Sequence, residues 1–141
     1  MNLFSDMTAL QAASFYIALV LLLFLGLKIY VANRRAALKV ASGDISNPDF
    51  ARAQRVQLNA VEDVPPMLVA ILALGLLAAP LWLIHTIGVA LLVFRLAHAV
   101  GLAAPASGFA LGRAVGTLGT LALYLTLVIA LLLCAFDAAA G

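Results

Sequence analysis

Charged residues are scarce in this sequence. Only 10% of its 141 residues are Asp, Glu, Lys or Arg, whereas 66% are hydrophobic and the mean hydropathy is +1.17. A soluble domain of this length could not bury so much apolar surface, because small domains keep much of their area in contact with water. The composition therefore excludes a soluble domain and predicts an integral membrane protein that crosses the bilayer several times and contacts lipid.

Cysteine is almost absent, and the alternation typical of membrane strands is missing. Cys134 is the only cysteine, so an internal disulfide is excluded. The apolar runs are too long for strands, and they lack the alternation of an outer-membrane barrel. The pI is near 9.0, but most basic residues flank apolar runs, so we predict no nucleic-acid partner. We also predict no bound metal.

Four apolar runs are long enough to cross a bilayer as helices. We place these helices at about residues 10–34, 49–79, 81–103 and 110–136, within one membrane domain that covers residues 1–141. Asn47 or Asp49 is expected to cap the second helix. The predicted fold class is an all-α bundle of four transmembrane helices.

Basic residues collect at one side of the predicted bundle. They are Arg34, Arg35, Lys39, Arg52, Arg55 and Arg113. The other side holds Asp6, His85 and Asp137. The positive-inside rule then predicts that both termini lie outside and that residues 36–49 and 103–112 lie in the cytoplasm. We expect a bacterial inner membrane protein.

The second helix carries a polar stripe. At 100° per residue, Arg52, Arg55, Asn59, Glu62 and Asp63 fall within roughly a third of its circumference. Charged residues on a membrane helix are costly unless they line a site or meet partners inside a bundle. The stripe is therefore the first candidate for a functional site.

Arg95 and His98 form a second polar pair on the third helix, where a spacing of three places them on one face. The rise per residue puts Glu62 about 15 Å from Arg52 and Arg95 about 13 Å from Ala104, so Glu62 and Arg95 should lie at similar depth. We therefore predict an ion pair between Glu62 and Arg95, within one subunit or across an interface.

Small residues recur at the start of the fourth helix. Gly108, Gly112 and Gly116 are four apart and Gly119 follows three further on, a ridge that predicts close helix packing. Tyr124, in the middle of this helix, is expected to pack or to form an interhelical hydrogen bond.

The run Arg55-x-x-x-Asn59-x-x-Glu62-x-x-Pro65, on the second of four short membrane helices, resembles the MAPEG family. These are the membrane-associated proteins of eicosanoid and glutathione metabolism. Arg95-x-x-His98 on the third helix is similar to a second motif of the family. The resemblance covers nearly the whole chain in architecture and favours a small, bacterial-type member.

The resemblance implies a homotrimer that binds glutathione, as co-substrate, between neighbouring subunits near the cytoplasmic side. Arg55 would contact a carboxylate, Asn59 the peptide and Glu62 the amino group. Arg113 would be the catalytic residue that stabilises the thiolate. Lesser or outer contacts would come from His98, Arg52, Arg34 and Arg35.

Elementary chemistry agrees with this implied site, but the sequence also departs from the family pattern. Cations suit the two carboxylates of glutathione, an anion suits its ammonium group, and a fixed positive charge favours the nucleophilic thiolate. Active members often have tyrosines after the motif glutamate and near the end of the third helix, whereas this chain has Asp63 and Gly101-Leu102. The charge of Asp63 would oppose an anionic ligand unless Arg52 or Arg55 neutralises it.

Three interpretations follow. The first is a glutathione-dependent transferase or peroxidase that conjugates or reduces lipophilic electrophiles. The second is a non-enzymatic protein that binds a lipid or another lipophilic ligand in the same cleft, which the missing tyrosines favour. The third is a structural bundle in which Arg55, Glu62 and Arg95 hold the helices together. An ion channel is disfavoured, because only one helix face is continuously polar.

Overall fold

The structure is a computed structural model that describes residues 6–41, 44, 46–104 and 111–140, with the side chains of 138–140 left out. Within these residues the chain forms four α-helices, namely α1 (Ala9–Leu38), α2 (Pro48–Leu76), α3 (Leu81–Ala103) and α4 (Leu111–Ala140). Each is long and apolar enough to cross a membrane. The predicted all-α bundle of four transmembrane helices is therefore confirmed, while linker residues 105–110 lie outside the described residues.

Local features of the chain explain where α2 begins and where it ends. Asn47 is the cap, because its Oδ1 atom accepts hydrogen bonds from the backbone N–H groups of Asp49 (3.0 Å) and Phe50 (3.1 Å). These bonds satisfy two of the donors that a helix start leaves unpaired. At the other end, Ala78 adopts a left-handed conformation with φ of 53°. The helix therefore ends at Leu76 rather than at the predicted residue 79.

Apolar side chains fill the bundle and also cover its outside. The largest fully buried side chains come from α1, α2 and α3. They include Val20, Phe50, Met67, Ile71, Leu74, Ile84 and Leu91. On the outer faces, large apolar side chains such as Leu22, Val69 and Leu118 are more than 60% exposed. A surface of this kind is stable in lipid and not in water, so the chain is a multi-pass membrane protein.

Glycines allow α3 and α4 to pack closely at the end of the bundle that holds the site. A Cβ atom at Gly116 would lie 2.7 Å from the Cα atom of His98, and one at Gly112 would lie 2.7 Å from the carbonyl oxygen of Ala97. Neither position has room for a side chain, which confirms the predicted packing role of these two glycines. Gly108 lies outside the described residues.

Candidate functional site

A groove of about 740 Å³ opens between α2, α3 and α4, at the end of the bundle where α3 finishes and α4 begins. We call it the main groove. Three leucines supply most of its apolar wall, and polar side chains from all three helices supply the rest. These polar side chains are Arg55, Asn59 and Asp63 of α2, His98 of α3, and Arg113, Thr117, Thr120 and Tyr124 of α4.

Four of the residues predicted to form the site meet in this groove. Arg55 and Asn59 come from one helix, and His98 and Arg113 each come from another. The close packing of α3 against α4 brings the last two together, since Gly116 lies against the backbone of His98. That these four side chains bind a ligand stays a prediction.

Glu62 lies beside the main groove rather than in it. It is exposed and lines a second depression of about 390 Å³, which we call the outer groove. The lining residues of the outer groove all belong to α2, and they include Gln54, Arg55 and Asn59. Because Arg55 and Asn59 line both grooves, the two depressions lie side by side on α2, and we refer to them together as the joined grooves.

Three other predicted contacts lie apart from both grooves. Arg52 forms an exposed ion pair with Asp49 at 3.2 Å. The guanidinium of Arg35 lies over the ring of Phe50, 4.8 Å from its centroid. Arg34 is half-buried, and its Nε atom has no hydrogen-bond partner among the described residues.

A buried guanidinium connects the three helices behind the main groove. Arg95 Nη1 forms a 2.9 Å ion pair with Asp63 Oδ2, and Arg95 Nη2 donates a 2.9 Å hydrogen bond to Asn59 Oδ1. Nη1 also donates to the hydroxyl of Thr120 at 3.4 Å. The side chain of Arg95 is 2% exposed, whereas that of Asp63 is 35% exposed toward the groove.

The predicted pair of Glu62 with Arg95 within one subunit is wrong, because the carboxylate that meets Arg95 is Asp63. The reason is helical geometry. Asn59 and Asp63 are four residues apart and share the face of α2 that packs on α3, whereas Glu62 is turned about 100° away from Asp63. A pair of Glu62 formed across a subunit interface stays a prediction.

The same ion pair identifies the partner of Asp63. The sequence left open whether Arg52 or Arg55 neutralises this carboxylate, and in the structure Arg95 pairs with it from inside the bundle. Arg55 and Arg113 are both exposed, and neither forms an ion pair in the part of the chain that the structure describes. The main groove therefore carries an excess of positive charge, which suits an anionic ligand.

Three hydroxyl groups of α4 line the main groove, although the sequence pattern predicted no hydroxyl at the site. Thr117 donates to the carbonyl of Arg113 at 2.9 Å, and Thr120 donates to the carbonyl of Gly116 at 2.7 Å. Tyr124 donates to the backbone carbonyl of Asp63 and so connects α4 to α2, as predicted for an interhelical hydrogen bond. The spacing of 117, 120 and 124 places them on one helix face, which is the signal that could have identified them.

These features define a multi-pass membrane protein whose four-helix bundle carries a cationic groove at one end. The chain matches the model of the MAPEG family over residues 13–133 and belongs to that family. It is 33% identical over 91 residues to the inner membrane protein YecN of Escherichia coli (strain K12), which covers 64% of this chain and 70% of that protein. The protein of the same name from E. coli O6:H1 gives the same figures. No solved structure matches the chain.

Proposed function

We propose that the protein is a glutathione-dependent membrane transferase or peroxidase that acts on lipophilic electrophiles. Membership of the MAPEG family supports a membrane protein of the family associated with glutathione and eicosanoid metabolism. The single observation that carries the proposal is the main groove, where Arg55, Asn59, His98 and Arg113 meet in an excess of positive charge.

The joined grooves fit the polar groups of glutathione. This tripeptide has two carboxylates and one ammonium group, so it needs cations and an anion at separate places. Arg55 would bind a carboxylate with its planar guanidinium, and Asn59 would bind the central peptide. Glu62, which lies beyond them in the outer groove, would bind the ammonium group.

Arg113 is the residue that we assign to thiol activation. A thiol like that of cysteine has a pKa of about 8.5, and a nearby fixed positive charge lowers it. In conjugation, the thiolate sulfur attacks the electrophilic carbon, the leaving group departs with its electron pair, and the thiol proton passes to water. In peroxide reduction, two glutathione molecules supply two electrons, and the products are glutathione disulfide, an alcohol and water. The leucines of the groove offer an approach for a substrate dissolved in lipid.

A homotrimer completes the proposal. Arg55 and Glu62 are exposed on the outer face of α2, next to Leu58 and Val61, which are each nearly half exposed. Charged side chains at this position would meet lipid in an isolated subunit, which is costly. A neighbouring copy of the chain would cover this face and enclose the ligand between subunits.

The cellular location is proposed from the relative in E. coli and from the distribution of basic residues. The relative in E. coli is an inner membrane protein, and four helices of this chain can span a membrane. We assign the chain to the inner membrane, with the basic end and the grooves facing the cytoplasm and both termini outside.

The experiment that tests the enzymatic proposal compares wild-type protein with Arg113→Ala in detergent micelles or lipid nanodiscs. Thiolate formation would be followed by ultraviolet absorbance on addition of glutathione, and conjugation by the colour change of an aryl halide. We expect Arg113→Ala to bind glutathione but to lose thiolate formation and turnover. Equal turnover by the two proteins would contradict the role assigned to Arg113.

One observation favours the second candidate, a non-enzymatic protein that binds a lipid or a lipophilic ligand. The hydroxyl protons of Thr117, Thr120 and Tyr124 are all donated to backbone carbonyls, so none of them is directed at a thiol. In that case wild-type protein would bind a fluorescent fatty acid in the main groove and would show no turnover with any electrophile tested.

A further inference from the structure

The hydrogen bond between Arg95 and Asn59 fixes which way the side-chain amide of Asn59 points. A guanidinium has donors and no acceptor. The atom of Asn59 that lies 2.9 Å from Arg95 Nη2 must therefore be its oxygen, Oδ1. The oxygen and the NH₂ group of an amide diverge from one planar carbon, so the NH₂ group of Asn59 points in a different direction from the oxygen that faces Arg95.

The side facing away from Arg95 is the side of the grooves. Arg95 is buried inside the bundle at 3% exposure, whereas Asn59 lines both the main and the outer groove. The NH₂ group of Asn59 would then offer a pair of donors to the ligand space. A peptide carbonyl or a carboxylate oxygen can accept from it, and a ligand N–H cannot.

We propose that Asp63 and Arg95 are positioning residues, which hold the amide of Asn59 so that the joined grooves present donors to an acceptor oxygen of the ligand. Where that ligand is named as glutathione, whose peptide carbonyl would face Asn59, this inference rests on the proposed function. Arg95 itself does not contact the ligand. Its cationic charge is taken up by Asp63, and the anion-binding charge of the groove comes from Arg55 and Arg113.

The guanidinium of Arg95 is held by more than one partner, as a positioning role requires. Asp63 holds Nη1 at 2.9 Å, and the hydroxyl of Thr120 lies 3.4 Å from the same atom. Tyr124 in turn fixes the backbone of Asp63 through its carbonyl oxygen. Because an ion pair between a guanidinium and a carboxylate is directional, Arg95 has little freedom to release Asn59.

The first test needs no ligand. Protein containing isotope-labelled asparagine is examined by NMR, and the side-chain NH₂ signals of Asn59 are identified by their absence in Asn59→Asp. We expect Arg95→Lys to shift or broaden these signals, because the single ammonium of lysine lacks the planar fork with which Arg95 holds Asp63 and Asn59 at once. Thr120→Val is the matched control, since it removes a different partner of the same guanidinium, and it should leave the signals in place.

Two results of this test would overturn the inference. One is an unchanged Asn59 signal in Arg95→Lys, and the other is an equal change in Thr120→Val. If Arg95→Lys does not fold, Asp63→Asn takes its place, because loss of the carboxylate also releases the guanidinium and should shift the Asn59 signals in the same way.

The second test measures whether Arg95 acts through Asn59. In calorimetric titration with glutathione, Arg95→Lys should raise Kd about fivefold to tenfold, as expected for the loss of one hydrogen bond. In an Asn59→Ala background the same change should raise Kd about twofold or less, because the residue through which Arg95 acts is gone. An equal effect in both backgrounds would show that Arg95 acts otherwise. Wild-type protein that binds no glutathione would refute the proposed function, and the NMR test would still decide the inference.

Discussion

Removal of the carboxylate of Asp63 should strongly destabilise this bundle. In Asp63→Ala, the guanidinium of Arg95 loses the 2.9 Å ion pair, and only the neutral oxygens of Asn59 and Thr120 remain within its reach. Its side chain is only 2% exposed, so it cannot exchange the lost partner for bulk water. The variant therefore retains a buried charge without compensation, which is among the costlier defects in a protein interior.

The magnitude follows from the burial of the two partners. Breaking a buried pair by removing one partner costs about 3–5 kcal/mol. The side chain of Asp63 is 35% exposed, so water in the groove already weakens the pair, and we expect a loss of about 2–4 kcal/mol in the free energy of unfolding. The measurement is a denaturation titration in mixed detergent micelles, followed by circular dichroism.

Asp49→Ala is the matched control. It removes the same kind of side chain from an ion pair with Arg52 whose partners are 52% and 32% exposed. Exposed pairs contribute about 0–1 kcal/mol, so this variant should be nearly as stable as wild type. A loss in Asp63→Ala no greater than that in Asp49→Ala would refute the account of a buried ion pair that holds α2 to α3.

Two further predictions concern packing and capping. Gly116→Ala should destabilise the protein by about 1–3 kcal/mol, because the added Cβ atom would lie 2.7 Å from the Cα atom of His98. Gly26→Ala is the control and should be neutral, since nothing lies within 4 Å of a Cβ atom at that position. A thermal shift in Gly116→Ala as small as that in Gly26→Ala would contradict the close packing of α3 and α4. Asn47→Ala should cost about 1 kcal/mol, because two N–H groups lose their acceptor, and Asn33→Ala, an exposed change on α1, is its control in the same assay.

The architecture could be predicted because it depends on properties that a sequence displays directly. Long apolar runs determine the four helices, and the spacing of Gly112 and Gly116 determines where α3 and α4 approach. The cap at Asn47 follows from local hydrogen bonding within three residues. The family motif Arg55-x-x-x-Asn59-x-x-Glu62 was equally visible, and two of its residues line the main groove.

The ion pair could not be predicted in the same way, because it depends on the rotation of α2 about its axis. Glu62 and Asp63 lie at nearly the same depth and differ mainly in direction, by about 100°. Which of them faces Arg95 is decided by packing against α3 over the whole length of the helix. The i, i+4 spacing of Asn59 and Asp63 and the i, i+3 spacing of Asn59 and Glu62 both place a carboxylate near Asn59, so spacing alone did not distinguish Asp63 from Glu62.

The contacts of the basic residues at the start of α2 also could not be predicted from the sequence. Arg52 and Arg55 are three residues apart, yet Arg52 turns to Asp49 while Arg55 lines both grooves. Arg35 stacks on Phe50 for a similar reason, since the end of α1 lies over the first turn of α2. Side-chain direction at helix ends depends on neighbours that no periodicity reveals.

Calorimetric titration of reduced glutathione into the purified protein would decide whether the main groove binds glutathione, with Arg55→Ala and Arg52→Ala measured beside wild type. We expect saturable binding by wild type, a loss of binding in Arg55→Ala, and nearly unchanged binding in Arg52→Ala, whose side chain lies apart from both grooves. Absence of binding by folded wild-type protein, or equal affinity in Arg55→Ala, would contradict a glutathione site in the main groove.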